Sequence, residues 1–304
     1  MIGANPGFSM RIAVLLTCHN RRETTLDALR ALFAQDLPPG VFLIAYLVDD
    51  GSADGTGEAV LRNFPRVRLL HGDGTLYWSR GMRWAYGEAL AEGYDFYLWL
   101  NDDVMLHPDA IRTLLATSDA LRTGGLARLI VVGSTGDPET GQTTYGGVVR
   151  SSRLHPLKFR LLEPAADPQP CATMNGNVVL ISQSAAEAAG NISQVFSHGI
   201  GDFDYGLQAV KQGCSIWLAP GYAGSCRQNT VANTWRDPSL SVRKCLRLLT
   251  GIKGLPPGPY RRYARAHAGP LWPLFWLAPY VRAILYLAVR RIGGRTRTPR
   301  TAEP

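Results

Sequence analysis

Carboxylates stand side by side at two places in this 304-residue chain: Asp49-Asp50, followed by Gly51-Ser52, and Asp102-Asp103, preceded by Asn101. Asp202 and Asp204 form a third acidic position, two residues apart. Adjacent carboxylates repel and call for a donor, a ligand or a cation between them. A carboxylate pair with a neighbouring amide oxygen suits a hard divalent cation, and Mg²⁺ often sits between such a group and substrate phosphates. Carboxylates also accept hydrogen bonds from a nucleobase imide or a ribose hydroxyl. The plainer readings are an acidic turn before a helical segment at residues 107–115, and a helix cap near Ala53, where Asp54 is better placed.

The segments that must position these acids read as strands and helices in alternation. Residues 94–103, YDFYLWLNDD, are an aromatic-rich apolar run that ends in the second acidic pair, the pattern of a buried strand. Residues 11–18 and 42–48 are further apolar runs of strand length, the second leading straight into Asp49-Asp50. A shorter strand follows at 67–70. Between them, residues 22–35, 54–64 and 79–91 carry apolar residues at helical spacing. Such alternation predicts an α/β fold with a mainly parallel, Rossmann-like sheet, helices on both faces and right-handed crossovers. Ligands of such sheets bind at the carboxyl ends of the strands, which is where both acidic pairs fall.

Hydrophobic residues make up 46% of the chain and charged residues 18%, enough for a sizeable core. The expectation is one large domain with extensions: a disordered leader at 1–9, a body at 10–226 and a basic, partly apolar helical extension at 227–304. Five scattered cysteines without a CxxC pair point to free thiols rather than a disulfide framework or zinc site. The first residues lack a basic region followed by an apolar run, so no signal peptide is expected and the protein reads as cytoplasmic.

Charge is placed unevenly, with +13 from Arg227 onward against about −5 over the rest. A nucleic-acid-binding protein more often spreads its basic residues over a folded face. A basic tail on an acidic body instead suggests anionic lipid as partner. Residues 271–289 are apolar except for Arg282, and Pro273 and Pro279 interrupt them, which is poor for a membrane-spanning helix. Trp272, Trp276 and Tyr280 fall on one helical face. Arg261, Arg262 and Arg265 precede them, and Arg290, Arg291, Arg295 and Arg297 follow. That suits a peripheral helix on the inner face of a membrane; the alternative is a helix packed on the catalytic domain.

Thr17-Cys18-His19-Asn20-Arg21, Val48-Asp49-Asp50-Gly51-Ser52 and Leu100-Asn101-Asp102-Asp103 together resemble the signatures of family 2 glycosyltransferases, above all rhamnosyltransferase-like members. The likeness continues through residues 72–85, 173–181 and 201–213. It implies the GT-A fold, with a nucleotide-sugar half at about 10–103 and an acceptor half at about 104–226. By the same resemblance Thr17, Asn20, Arg21 and Arg22 line the nucleotide site, and Asp50 with Asp49 contacts the base or ribose. Asp103 holds a metal, Mg²⁺ or Mn²⁺, and Asp102 lies at the ribose or donor sugar. Asn175, Gly176 and Asn177 meet donor sugar and acceptor, and Asp202 matches the catalytic base. The implied donor is a UDP-, dTDP- or GDP-sugar, and the acceptor a glycan or lipid-linked glycan of cell-envelope polysaccharide synthesis, with no nucleic acid involved.

The chemistry stands apart from the resemblance. A diphosphate leaving an anomeric carbon gathers charge that a metal can stabilise. The attacking hydroxyl must lose a proton to a carboxylate. A base across the ring from the leaving group makes the displacement direct and inverting. Asp202 and Asp204 are the candidates, and on a helix residues two apart diverge, so at most one of them faces the cleft. In the loop at 72–80, glycines admit close approach of a phosphate, Arg80 can neutralise one, and Trp78 can stack on a sugar or join the core.

Two features depart from the family pattern. Gly201 stands where Glu commonly precedes the base, and Cys226-Arg227 follow the last strand where many relatives supply a His. Arg227 could balance diphosphate charge there, and Cys226 reads as a packed thiol. A sugar nucleotidyltransferase is the first alternative, opposed by TCHNRRE where a glycine-rich loop should follow the first strand. A non-catalytic nucleotide- or sugar-binding module is the second, opposed by metal acids and a base in one chain. A dinucleotide-binding dehydrogenase lacks its GxGxxG.

Overall fold

The computed structural model describes residues 9–294, with side chains through residue 289. The leader expected at 1–9 lies outside the described residues apart from Ser9. Arg295, Arg297 and the side chains of Arg290 and Arg291 lie outside them too.

In chain order the elements are β1 Met10–Cys18, α1 Arg22–Phe33, β2 Val41–Asp49, α2 Thr56–Asn63, β3 Arg68–His71, α3 Tyr77–Glu92, β4 Phe96–Leu100, β5 Met105–Leu106 and α4 Ala110–Thr123. There follow β6 Leu129–Gly136, β7 Thr143–Tyr145, β8 Gly147–Arg150, β9 Phe159–Leu161, β10 Gln169–Pro170, β11 Thr173–Met174 and β12 Val178–Ser182. The chain continues with α5 Gln183–Ala189, α6 Gly201–Lys211, β13 Ser215–Ser225, α7 Val242–Thr250, α8 Pro257–His267 and α9 Trp272–Gly294. Two compact units result: Met1–Ser151 with Phe159–Gln228, and Ser152–Lys158 with Asn229–Pro304.

In the first unit the main sheet runs β10-β13-β6-β12-β4-β1-β2-β3, with β5 on β13 and β7 on β6. β4, β1, β2 and β3 are mutually parallel, and β13 runs parallel to β6. β12 lies antiparallel between β4 and β6, so among the long strands it alone runs against the rest. The expected α/β architecture is therefore present, mostly parallel, with one reversed strand inserted beside the aromatic strand. A separate sheet, β11-β8-β9, stands apart from it.

Alternation along the strands fills two cores. Ile12, Val14 and Leu16 of β1 turn to one face with Leu26, Leu29 and Leu32 of α1 and Ile111 and Leu114 of α4. Ala13 and Leu15 turn to the other, with Met82, Ala85 and Tyr86 of α3 and Tyr205 of α6. Trp99 is fully buried on that second side, 4.7 Å from the Tyr205 ring and 5.8 Å from Tyr86. The apolar and aromatic strand at 94–103 is thus the central rod of the sheet, and its polar end emerges at the rim.

Three features of these elements matter. α6 begins at Gly201, so Asp202 lies inside its first turn rather than capping it. β13 runs on to Ser225, which carries Cys226 to the same rim. In the second unit, α9 continues through both prolines that were expected to interrupt it. Pro273 falls in its first turn, where no N–H is needed. Pro279 leaves the Phe275 carbonyl without its helical donor, and the Tyr260 hydroxyl takes that acceptor at 3.4 Å. The aromatic face also turns inward. Trp276 Nε1 donates to the Pro257 carbonyl at 3.1 Å, and the Tyr280 hydroxyl donates to Leu255 at 2.9 Å.

This pairing predicts a specific coupling. Tyr260→Phe alone should cost about 1 kcal/mol, a typical net hydrogen bond. In a Pro279→Ala background the restored N–H serves Phe275, so the cost of Tyr260→Phe should fall to near zero. A double-mutant cycle by denaturant unfolding measures both.

Candidate active site

The strand ends of the first unit carry the predicted acids, but the two pairs are satisfied by different partners. Asp50 is buried, and its carboxylate accepts the backbone N–H groups of Gly74 (2.9 Å to Oδ1), Leu76 (3.0 Å to Oδ2) and Tyr77 (2.9 Å to Oδ2). The sequence placed Asp50 at a base or ribose; the structure turns both its oxygens into the loop at 72–77. Gly72 sits so close that a Cβ there would lie 2.7 Å from Asp50 Oδ1. Asp49, also buried, accepts the Ser52 N–H at 3.0 Å and lies under Gly57 of α2.

The turn after β1 is tied to the turn after β2. His19 Nδ1 is 2.6 Å from the Asp50 carbonyl. Asn20, at φ +51°, accepts the Ala53 N–H at 2.7 Å, and its own N–H reaches Ser52 Oγ at 2.9 Å. Thr17 is buried against Gly81 of α3. Arg22 is exposed; its backbone N–H reaches Asp54 at 3.0 Å and its side chain pairs with Glu23 at 2.9 Å.

At the end of β4, Arg21 closes on the second acidic pair. Its Nη1 lies 3.2 Å from Asp102 Oδ1 and 2.8 Å from Asp103 Oδ2. Burial pushes the Asp102 carboxyl up to about 7, against the pull of Arg21, and neighbouring Asp103 adds to the rise. Cys226 Sγ is 3.6 Å from Asp103 Oδ1, and burial first, then Asp103, pushes its thiol up to about 12. Among the described residues no three His, Cys, Asp or Glu side chains gather as a ready-made metal cluster.

From Asn101 a short series of contacts leads to Asp202. Trp78 Nε1 donates to Asn101 Oδ1 at 2.7 Å, and its ring meets Trp99 edge-on at 6.0 Å. Trp78 thus takes both expected roles in part: its ring roofs the core, and one edge reaches the rim. Gly176 lies against that ring, where a Cβ would come within 2.5 Å of two ring carbons and 3.3 Å of Asp202 Cβ. The Gly176 N–H donates to Asp202 Oδ2 at 3.0 Å, and the Phe203 N–H to Oδ1 at 2.8 Å. Burial raises the Asp202 carboxyl above its ordinary range, and those two N–H groups oppose the rise. Asn175 accepts the Gly146 N–H at 3.3 Å, and Asn177 is buried beside Cys226. Asp204 is buried deeper in α6.

The structure leaves two predicted cations apart from this group. Arg80 is exposed on α3 and makes no ion pair among the described residues, and Arg227 pairs with Glu139 at 2.5 Å. It adds positions that sequence reasoning passed over. The Ser79 hydroxyl donates to the His198 carbonyl at 2.5 Å, and the Ser79 N–H to the Ser197 carbonyl at 3.0 Å. A Cβ on Gly201 would lie 2.5 Å from Ser79 Oγ, which explains why glycine stands before Asp202. Tyr77 and Ile200 adopt φ +56° and +73°, an outlying conformation for residues with large or β-branched side chains. The unexpected Gly201 was the one signal in the sequence that something packs closely there.

Comparison with known proteins gives the class. The family model for glycosyl transferase family 2 matches residues 13–187, and the chain belongs to that family. It is a glycosyltransferase with a GT-A fold. It is 27% identical over 227 residues to the N-acetylglucosaminyl-diphospho-decaprenol L-rhamnosyltransferase of Mycobacterium tuberculosis strain CDC 1551 / Oshkosh, covering 64% of this chain and 68% of that one. The protein of the same description from strain ATCC 25618 / H37Rv matches equally. Among solved structures, the mannosyltransferase PcManGT from Pyrobaculum calidifontis, in complex with GDP-Man and Mn²⁺, superposes with a TM-score of 0.56 at 14% identity. The match covers 96% of this chain and 77% of that one. At that identity the likeness establishes the fold.

The packing at Gly176 generates a prediction. Gly176→Ala should drive Trp78 and Asp202 apart and lower glycosyl transfer at least about tenfold, with far-ultraviolet dichroism unchanged. A smaller ring should recover part of the loss, so Gly176→Ala with Trp78→Phe should be the more active of the two. Overpacking of this kind typically costs about 1–3 kcal/mol.

Proposed function

We propose that this enzyme moves a sugar from a nucleotide-diphosphate donor to a hydroxyl of a glycan or lipid-linked acceptor, with inversion at the anomeric carbon and Asp202 as general base. The acceptor oxygen forms its bond to the anomeric carbon as the bond to the diphosphate oxygen breaks. The hydroxyl proton passes to the Asp202 carboxylate, and the nucleoside diphosphate leaves with the bonding electrons. The observation that carries this reading is the position of Asp202. Its carboxylate is fixed by two backbone N–H groups and reaches the β4 end through Gly176, Trp78 and Asn101. A carboxyl raised by burial is a stronger proton acceptor than an ordinary one.

The residues at the β4 end fit a divalent metal. Asp102 Oδ1 and Asp103 Oδ2 already converge on one positive charge, the Arg21 guanidinium. Oxygen donors of this kind, completed by substrate phosphates, suit Mg²⁺ or Mn²⁺. Asp103, which is the more exposed, would hold the metal, with Asp102 toward the ribose or donor sugar. Bound there, the metal would supply Lewis-acid stabilisation of the leaving diphosphate. Asn20, Arg21 and the 72–77 loop border the donor, and Asn175–Asn177 with Trp78 border donor sugar and acceptor. The nucleotide half is residues 10–103 and the acceptor half 104–226.

The curated relatives' description names an L-rhamnosyl transfer to N-acetylglucosaminyl-diphospho-decaprenol, which supports a rhamnosyl or related donor and a lipid-linked acceptor here. PcManGT was solved with GDP-Man and Mn²⁺, which supports a nucleotide sugar with a metal. An acceptor of that kind supports a site of action at a membrane surface, and a nucleotide-sugar donor supports its cytoplasmic face.

Two measurements test the chemistry. Asp202→Asn should keep nucleotide binding while turnover falls about 10²–10⁴-fold, the usual weight of a general base. Asp204→Asn should lose far less, and the reverse order would reassign the base. In the parent enzyme the acid limb of the turnover–pH profile should lie above the ordinary carboxylate range, and Asp202→Asn should abolish it.

For the metal, Asp103→Asn should remove Mn²⁺-dependent thermal stabilisation by nucleotide sugars without changing the unfolding midpoint of the free protein. Unchanged metal dependence would exclude Asp103 as the ligand. Screening UDP-, dTDP- and GDP-sugars in the same assay identifies the donor.

A further inference from the structure

Helix α9 has two faces of opposite character. Trp276 and Tyr280 bond to the backbone of the segment leading into α8, and Ala283 and Leu287 continue that face as buried residues. The opposite face carries Leu274, Leu277, Val281, Ile284 and Leu285, each 46–62% exposed. At about 100° per residue these five fall in one stripe with no polar side chain within it. Single exposed aliphatics are ordinary, but a contiguous stripe marks an interaction surface.

The charge of the same unit indicates what covers it. Arg243, Lys244 and Arg247 of α7 and Arg261, Arg262 and Arg265 of α8 are all exposed, and from Asn229 onward the acids are Asp237 and Glu303 alone. A second copy would bring like charge against like. Anionic lipid headgroups complement it.

We propose that the aliphatic face of α9 lies in the boundary between headgroups and acyl chains of an anionic membrane, with the helix parallel to the surface. By length and composition Trp272–Val289 would suffice to cross a bilayer. Its first turns, however, are held by three hydrogen bonds to α8 and the segment leading into it, and α8 bears exposed arginines. The remainder, Val281 to Gly294, rises only about 21 Å, short of a hydrocarbon core of about 30 Å. The proposal deepens the reading of a membrane-side acceptor, and it is judged on lipid binding alone.

The test sediments the full-length protein with vesicles of phosphatidylcholine, with or without phosphatidylglycerol. The protein should follow the anionic vesicles, and salt and alkaline carbonate should release it. Val281→Asp with Ile284→Asp, both at exposed positions, should weaken vesicle affinity by about tenfold or more. The elution volume and unfolding midpoint of this variant should match the parent. Parent protein that ignores anionic vesicles, or a double variant that binds them as well as the parent, overturns the proposal. So does resistance to carbonate, which would mean a spanning helix. A parent dimer that the double substitution converts to monomers, without vesicle binding by either, would assign the face to a second copy. If lipid binding behaves as expected while transfer to any lipid-linked acceptor fails, the acceptor reading falls and the lipid face stands.

Discussion

The buried carboxylate of Asp50, holding the amides of Gly74, Leu76 and Tyr77, is the interaction on which the site depends. A charge taken out of water is tolerated only when its lone pairs are filled, and backbone N–H groups fill them without side-chain entropy. The loop they belong to leads directly into α3, whose first residues are Tyr77, Trp78 and Ser79. Trp78 then braces Asn101 and Gly176, while Ser79 clamps the 197–198 backbone that leads to Asp202. One carboxylate at the end of β2 thereby fixes the distance between the end of β4 and the start of α6.

The two acidic pairs show how little sequence identity says about task. Both are Asp-Asp at the carboxyl end of a parallel strand. The Asp50 carboxylate accepts three backbone amides, and Asp49 accepts the Ser52 N–H. Asp102-Asp103 meets the Arg21 guanidinium, whose side chain is 45% exposed. The difference lies in what surrounds them: glycines at 51, 57, 72 and 74 let backbone crowd the first pair, and a guanidinium meets the second.

Much of the fold was legible because parallel strands buried on both faces write themselves as unbroken apolar runs. β1 and β2 were read in this way to within a residue at each end, and β4 as part of the longer run 94–103. The reversal of β12 was not, since an antiparallel insertion has the same apolar spelling as its parallel neighbours. The continuation of β13 past Ala219 was hidden by Pro220 and Gly221, where its register against β6 shifts. The candidate site was read from the charged residues that the proposed chemistry calls for, Asp103 and Asp202. It was illegible where packing demands a particular shape: Ser79 beneath Gly201, or Trp78 against Gly176, declares itself only in three dimensions. Pro279 misled for a related reason, because the hydroxyl that replaces its missing donor comes from another helix.

Asn20, Tyr77 and Ile200 hold left-handed backbone conformations at three junctions around the site. Each such residue stores on the order of 1–3 kcal/mol, kept in place only by surrounding contacts. The site is therefore a loaded spring inside a relaxed scaffold. Heating, denaturant or a distant core mutation that weakens those contacts releases the junctions first. Catalytic competence would then fade while the sheet and its helices remain intact, and inactivation would precede melting.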